Sequence, residues 1–347
     1  MPKEISFSEI KSLNPILVDV RSTSEYLEDH IPGAVNVPLL DDMERAEVGL
    51  TYKKEGADKA KMLALKMISP RLPEMVETIK DQADGKPVIV YCWRGGLRSY
   101  SIASVLSAIG VNVFRLDGGY KKFRKQVIQY LEDGVHSLPV INLHGLAGTG
   151  KTQVIRELIK MRAPAVDLER LAGHRGSVFG HIGLTSQPSQ KAFETRLFYA
   201  LSQVEHASCR ILECESRRIG KLLLPINLLK AMRNGRNILI YDTLENRARR
   251  LVEEYTRSGY KTVEQIYQAL AGLRDRLGLA KVNTIQNMIK KGDLVEAAKS
   301  LLTDYYDPLY KYPNQPSPDF ELCINNWNVE ETAKIICQYL QIPFEKN

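Results

Sequence analysis

Two short stretches of this 347-residue chain carry side chains whose types and spacing do chemistry. The first is Cys92-Trp93-Arg94-Gly95-Gly96-Leu97-Arg98-Ser99. A cysteine at the end of a buried strand, ahead of a glycine-containing loop and a helix, meets three favourable effects. Backbone N–H groups of such a loop converge as an anion nest. The following helix presents its positive N-terminal end. Arg94 and Arg98 add full positive charge. Together these favour thiolate over thiol and make Cys92 the candidate nucleophile. The loop Trp93, Arg94, Gly95, Gly96, Leu97, Arg98 would also seat a phosphate or thiosulfate oxyanion. Two other readings stay open on these residues alone: a small buried thiol that closes a strand, and a phosphatase-type loop, in which a cysteine and an arginine also cradle phosphate.

The second stretch, Gly145-Leu146-Ala147-Gly148-Thr149-Gly150-Lys151-Thr152, fits G-x-x-x-x-G-K-[ST] at every fixed position. It follows a strand pattern and precedes a helix pattern, the context the motif needs. Gly145, Gly148 and Gly150 let backbone N–H groups approach a diphosphate, with Thr149 between them. Lys151 supplies a point charge, and the helix N-terminus completes the anion site. The motif does not say what carries the phosphates. Nucleotide hydrolysis asks for an acid ending a second strand to hold Mg2+, and Asp167, Glu213, Glu215 and Asp242 are the candidates. No residue set marks a certain metal site; Thr152 is the one side chain placed to reach Mg2+.

Two further stretches, Asp167 to Ser177 and Glu213 to Gly220, gather charge, histidine and glycine. Asp167, Glu169, His174, Arg175, Glu215 and Arg217 are candidate phosphate or substrate contacts, with solvated surface loops as the plainer reading. Lys121, Lys122, Arg124 and Lys125 sit beside Tyr120 and Phe123, a mixture suited to RNA phosphate contact and base stacking. Arg247, Arg249 and Arg250 form a second cluster. A solvated helix face would look the same in both places.

The elements that must position these residues follow from hydrophobic spacing. Residues 15–21, 34–38, 86–91 and 111–116 read as short strands, with Cys92 directly after the third. Helical spacing covers 24–28, 57–82 (split by Pro70 and Pro73) and 99–109. After a basic helical connector at 121–138, a new strand begins at Pro139. Later strand candidates are 164–168, 210–215, 237–242 and 320–324. Residues 244–310 read as largely helical, and Asn328 with Glu331 resembles a capping box. Alternating strands and helices imply parallel α/β sheets. The expected division is residues 1–134 and 135–347.

Composition narrows the class. Hydrophobic residues make up 44% and charged residues 26%, as in soluble globular proteins. There is no apolar run of membrane-spanning length and no signal-peptide pattern, so a cytoplasmic protein without membrane contact is expected. Five cysteines without a CxxC pair suit neither a disulfide framework nor a zinc site. A net charge of +7 suits an anionic partner such as RNA.

Residues 1–125 resemble the rhodanese homology domain, through Leu17-Val18-Asp19-Val20-Arg21, His30-Ile31-Pro32-Gly33-Ala34, the Cys92–Arg98 loop and Asp117-Gly118-Gly119. That likeness implies a covalent sulfur or selenium intermediate on Cys92. Over nearly its full length the chain resembles the tRNA 2-selenouridine synthase family, through the 167–177 and 213–220 stretches, Gly118 to Arg124 and the order of the domains. The resemblance implies an N-terminal rhodanese-like parallel sheet domain and a P-loop NTPase-like α/β domain with a largely helical C-terminal part. It implies a transferase that takes a tRNA bearing 2-thiouridine at the wobble position. Geranyl diphosphate would alkylate the sulfur at the P-loop, and selenium from selenophosphate would then replace the geranylthiol, with Cys92 serving the selenium step. These are co-substrates; no tightly bound cofactor is implied, Mg2+ is a candidate, and a selenophosphate-supplying enzyme is a candidate partner. Leu222 to Leu229 is the candidate geranyl wall, against an ordinary core segment. The competing reading is a rhodanese-type sulfurtransferase whose P-loop domain binds a nucleotide and which acts on small-molecule sulfur donors.

Overall fold

The computed structural model describes residues 2–135, 139–213, 216–256 and 260–344. Contacts divide the chain into two units: Met1–Tyr130 with Ser189–Arg196, and Leu131–Pro188 with Leu197–Asn347.

The first unit is built on β1 (Lys3–Ile5), β2 (Ile16–Asp19), β3 (Ala34–Asn36), β4 (Val88–Tyr91) and β5 (Val113–Leu116). They form one parallel sheet in the order β1-β5-β4-β2-β3. β4 is buried along its whole length and β2 over its last three residues. That explains their unbroken apolar runs, since a parallel strand is covered on both faces. Val18, Val88, Val90, Ile79, Ile102 and Leu106 form the heart of the core. Pro70 and Pro73 fall where expected: helices Ala57–Ile68 and Leu72–Ala83 are separated by a 3-10 turn at Ser69–Arg71. The chain leaves β4 at Cys92 and enters helix Leu97–Ala108, so Cys92 stands at the carboxyl edge of the sheet.

The division falls at Tyr130/Leu131, earlier than residue 134, and it is discontinuous because Ser189–Arg196 belongs with the first unit. Thr195 Oγ1 donates to Asp29 at 2.8 Å, Lys191 pairs with Glu28 at 2.6 Å, and Glu194 pairs with Arg124.

The second unit holds β6 (Val140–His144), β7 (Ala165–Val166), β8 (Arg210–Glu213), β9 (Arg218–Ile219), β10 (Leu222–Leu223), β11 (Arg236–Tyr241) and β12 (Leu322–Asn325). The main sheet is parallel, in the order β12-β11-β6-β8-β7, while β9 and β10 pair as a short antiparallel ribbon. β6 lies in the middle, and helix Lys151–Lys160 follows it across the intervening loop. The expected helical region is a bundle: Leu244–Thr256, Tyr260–Ala269, Leu279–Lys291 and Leu294–Leu301 pack around Leu270, Leu273, Val282, Ile285, Leu302 and Tyr305. In the final helix, Val329–Tyr339, the Asn328 side chain accepts from the Glu331 N–H at 3.0 Å. Among the described residues no helix is long and apolar enough to cross a membrane.

Candidate functional site

The phosphate loop is set by three glycines in positive φ. Gly145 is the tightest: a Cβ there would lie 2.2 Å from the Ile240 carbonyl oxygen. Gly148 and Gly150 adopt φ of +78° and +87°, and Gly150 caps helix Lys151–Lys160. Lys151 Nζ donates to the carbonyls of Gly145 (2.8 Å) and Leu146 (3.3 Å). Thr149 is buried beneath the loop; its hydroxyl donates to Leu146 O, and its own carbonyl accepts from Asn326 Nδ2.

The four candidate acids now part company. Thr152 Oγ1 donates to Glu213 at 2.6 Å and lies 3.1 Å from a Glu169 carboxylate oxygen. Glu213 ends β8, the strand beside β6, and is buried. Asp242 instead holds Arg250 at 2.8 Å, and Arg250 donates to Gly148 O at 2.6 Å. Asp167 caps helix Leu168–Ala172 and pairs with Arg156. Glu215 lies outside the described residues. A hydroxyl and two carboxylates therefore converge beside the loop, an oxygen donor set that suits Mg2+ when phosphate oxygens complete it. Among the described residues no cluster of three His, Cys, Asp or Glu side chains could hold a metal ion by itself.

A cavity of about 210 Å3 opens on this loop. One end is polar: Gly145, Gly148, Gly150, Lys151, Thr152, Arg156, Glu169, Arg175, Glu213 and Arg250 line it. The rest is an apolar wall drawn from the bundle, including Val263, Ile266, Ile289, Leu294, Ala297 and Leu301, with Tyr255, Tyr306, Tyr310 and Tyr312. Leu222 to Leu229 contribute nothing to this lining. Leu222, Leu224, Leu228 and Leu229 are buried in the core, so the apolar wall comes from the bundle and corrects the sequence expectation.

Arg175 lines the cavity, its guanidinium 5.0 Å from the Tyr255 ring centre and 2.8 Å from Glu254. His174 does not line it. Its ring is buried, and a Cβ on either Gly180 or Gly220 would come within 2.7 Å of it. Burial, then the nearby His181 and Arg175, push its pKa down. Arg217 is exposed and absent from the lining; its carbonyl accepts from the Leu224 N–H.

In the first unit, Cys92 Sγ is buried 3.3 Å from Ser99 Oγ. The loop's carbonyls are tied down from outside. Tyr120 N–H donates to Cys92 O, Lys121 N–H to Trp93 O and Arg115 to Gly95 O. A trans peptide sets N–H opposite C=O. The N–H groups of Trp93, Arg94 and Gly96 thus face away from these braces, while the Gly96 carbonyl accepts from Ser99 Oγ at 3.1 Å and lies 4.0 Å from Cys92 Sγ. Trp93 packs on Tyr120 with ring centres 5.4 Å apart. Leu97 and Arg94 are exposed. Arg98 is engaged at 2.8 Å by Glu25, which also holds Arg45 at 3.0 Å. Burial would raise the Glu25 carboxyl, but these cations hold it below the usual range.

The basic segment is less free than its sequence suggested. Tyr120 and Phe123 are buried, which rules out base stacking by these rings. Arg124 is paired with Glu194 and Lys122 with Asp117, while Lys121, Lys122 and Lys125 are exposed. In the second cluster Arg247 is buried, donating to Ala147 O and pairing with Asp307. Arg247 and Arg250 thus brace the phosphate loop.

Sequence reasoning missed Arg156 and the tyrosines, and it set Arg250 in a basic cluster for RNA rather than at the phosphate loop. Arg156 carried a local signal, one turn beyond Thr152 on the loop's own helix. The others come from the bundle, far along the chain.

Residues 138–338 match the tRNA 2-selenouridine synthase AAA domain, and residues 7–126 match the rhodanese-like domain. The chain is 32% identical over 332 residues to tRNA 2-selenouridine synthase of Pseudomonas syringae pv. syringae, covering 86% of this chain and 88% of that protein. It is 33% identical over 354 residues to the protein of the same name from Serratia proteamaculans, covering 94% and 93%. A third relative of that name, from Bordetella petrii, is 33% identical over 329 residues, covering 86% and 87%.

Proposed function

The chain belongs to the tRNA 2-selenouridine synthase family, and from that premise we propose that it converts 2-thiouridine at the wobble position of tRNA to 2-selenouridine through an S-geranylated intermediate. The observation that carries the geranyl step is one cavity in which a diphosphate loop opens directly onto an apolar wall. A nucleotide would place a polar sugar and base against Val263, Ile266, Ile289 and Leu294. A ten-carbon branched alkene fits those surfaces, with its diphosphate on Lys151 and the loop amides.

The chemistry follows from the parts. Thiocarbonyl sulfur is a soft nucleophile, and diphosphate leaves readily once Lys151 and the loop N–H groups neutralise its charge. Sulfur bonds to the terminal geranyl carbon, the C–O electron pair departs with diphosphate, and the base loses its N3 proton. The alkylated sulfur is then a leaving group on carbon 2. Selenium from selenophosphate takes its place, geranylthiol departs, and hydrolysis of the P–Se bond returns phosphate. The Cys92 loop would seat the phosphate group of selenophosphate, with Cys92 serving the selenium step. Thr152, Glu213 and Glu169 would hold Mg2+, which when bound supplies further charge neutralisation at the diphosphate. Lys121, Lys122 and Lys125 are the exposed cations assigned to tRNA phosphates.

The test is mass analysis of nucleosides from a thiolated anticodon stem-loop incubated with geranyl diphosphate, with and without selenophosphate. Geranylated thiouridine should form without selenophosphate and selenouridine with it. Lys151→Ala should lower both products by about 100- to 1,000-fold, and Cys92→Ala should remove selenouridine alone. Unmodified RNA under all conditions, from a protein that moves sulfur from thiosulfate to a thiol, would replace this reading with a small-molecule sulfurtransferase.

A further inference from the structure

The row of tyrosines in the cavity is unusual for a wall that only has to hold a hydrocarbon. Tyr306 and Tyr310 have ring centres 6.5 Å apart and planes 21° from parallel; Tyr310 and Tyr312 repeat the spacing at 24°. Tyr312 in turn packs on His144, 5.2 Å away, and His144 immediately precedes Gly145 of the phosphate loop. At the other end, Tyr306 belongs to the apolar cluster of Ala297, Leu301 and Phe179. All three tyrosines line the cavity. The row therefore runs from the residue that precedes the phosphate loop to the apolar cluster of the bundle.

The bond that breaks is the C1–O bond of the prenyl diphosphate. An allylic diphosphate ionises to a cation shared between C1 and C3, and the polar end faces it with both signs of charge, Lys151, Arg156, Arg175 and Arg250 beside Glu169, Glu213 and Glu254. Aliphatic walls give no help. Neutral aromatic faces do, because the ring quadrupole is negative above the plane. We propose that Tyr306, Tyr310 and Tyr312 are catalytic residues of alkyl transfer, their ring faces stabilising the allylic cation between loss of diphosphate and capture by sulfur. The C1–O pair leaves with diphosphate, a sulfur lone pair forms the C1–S bond, and the N3 proton passes to solvent. Burial, then neighbouring Tyr255, raises the Tyr306 pKa, which keeps that phenol neutral. The inference rests on the prenyl diphosphate reading above and assigns the residues that make its bond-breaking step fast.

The test uses the full-length protein, geranyl diphosphate and a thiolated anticodon stem-loop. Tyr310 is exposed enough to be replaced without loss of the fold. Tyr310→Phe should keep most of the rate. A series of phenylalanines with increasing ring fluorination at 310 should lower kcat for alkylation step by step, and Tyr310→Leu should lower it about 2- to 30-fold. The Kd for geranyl diphosphate, measured without RNA, should stay constant across the series. Tyr312→Leu and its fluorinated counterparts repeat the measurement at the loop end of the row. A kcat indifferent to ring electronics at both positions overturns the proposal while leaving geranyl transfer intact. A wild-type protein that neither binds geranyl diphosphate nor alkylates thiouridine removes the underlying reading, and the role of the row with it.

Discussion

Gly119 shapes the cysteine loop. It adopts φ +56°, and a Cβ there would lie 2.3 Å from the Cys92 carbonyl oxygen and 2.6 Å from the Gly95 nitrogen. Gly33 has a similarly positive φ with open space around it. The pair separates backbone strain from collision. Gly33→Ala should cost about 1–2 kcal/mol for the left-handed backbone. Gly119→Ala adds about 1–3 kcal/mol of overpacking and moves the carbonyl that follows Cys92. Thermal unfolding should rank Gly119→Ala below Gly33→Ala, and only the former should lose selenouridine formation while keeping geranyl diphosphate affinity. Equal losses in the two variants would mean that Gly119 does not set the loop. At this scale much was legible in the sequence. Cys92, Lys151 and Thr152 declare themselves because their chemistry depends on neighbours within a few residues. Glu213 was one of four candidates until the pairing of β8 with β6 set it against Thr152. Arg250 and the tyrosines reach the cavity only through tertiary packing.

Among the elements, the strands buried on both faces were read well because they leave continuous apolar runs, whereas β1, β9 and β10 escaped because each buries a single residue. Helix Asp42–Glu55 escaped because it buries no residue and so has no apolar stripe to betray it. Its start was marked by Asp41 and Glu44, a capping box without a hydrophobic run behind it. Helix Gln190–Gln203 did carry a signal, with Phe193, Leu197 and Leu201 at helical spacing. What no periodicity reveals is that its first turns belong with the first unit. There, buried Asp29 accepts from Tyr120 Oη at 2.7 Å and Thr195 Oγ1 at 2.8 Å. Thr195→Val keeps the shape and removes one of these donors. A buried carboxylate short of a hydrogen bond costs about 1–3 kcal/mol. The variant should unfold earlier in urea by that amount, and an unchanged midpoint would show that the segment contributes nothing to the first unit.

For the whole molecule, the excess of seven positive charges pointed towards an anionic partner. The structure shows how much of the basic side-chain inventory is spent internally: Arg98 on Glu25, Arg124 on Glu194, Arg247 on Asp307 and Arg250 on Asp242. Net charge was therefore legible, but its surface distribution was not, because ion pairing is decided by the fold. Histidine extends this to pH. Burial, with Lys151 nearby, lowers the His144 pKa, and burial lowers that of His174. The unfolded chain binds protons at these rings near pH 6.5, whereas the folded chain binds them only at lower pH. Between those limits the unfolded state carries more protons, so acidification favours unfolding. The contribution of both rings is full above the unfolded value and is lost as pH falls through it towards the folded values. Urea midpoints taken from pH 8 to pH 5.5 should therefore fall in the wild type. They should fall less steeply in a His144→Asn, His174→Asn double variant, whatever its starting stability. Parallel slopes would assign the acid sensitivity to other groups and leave the two histidines as packing residues only.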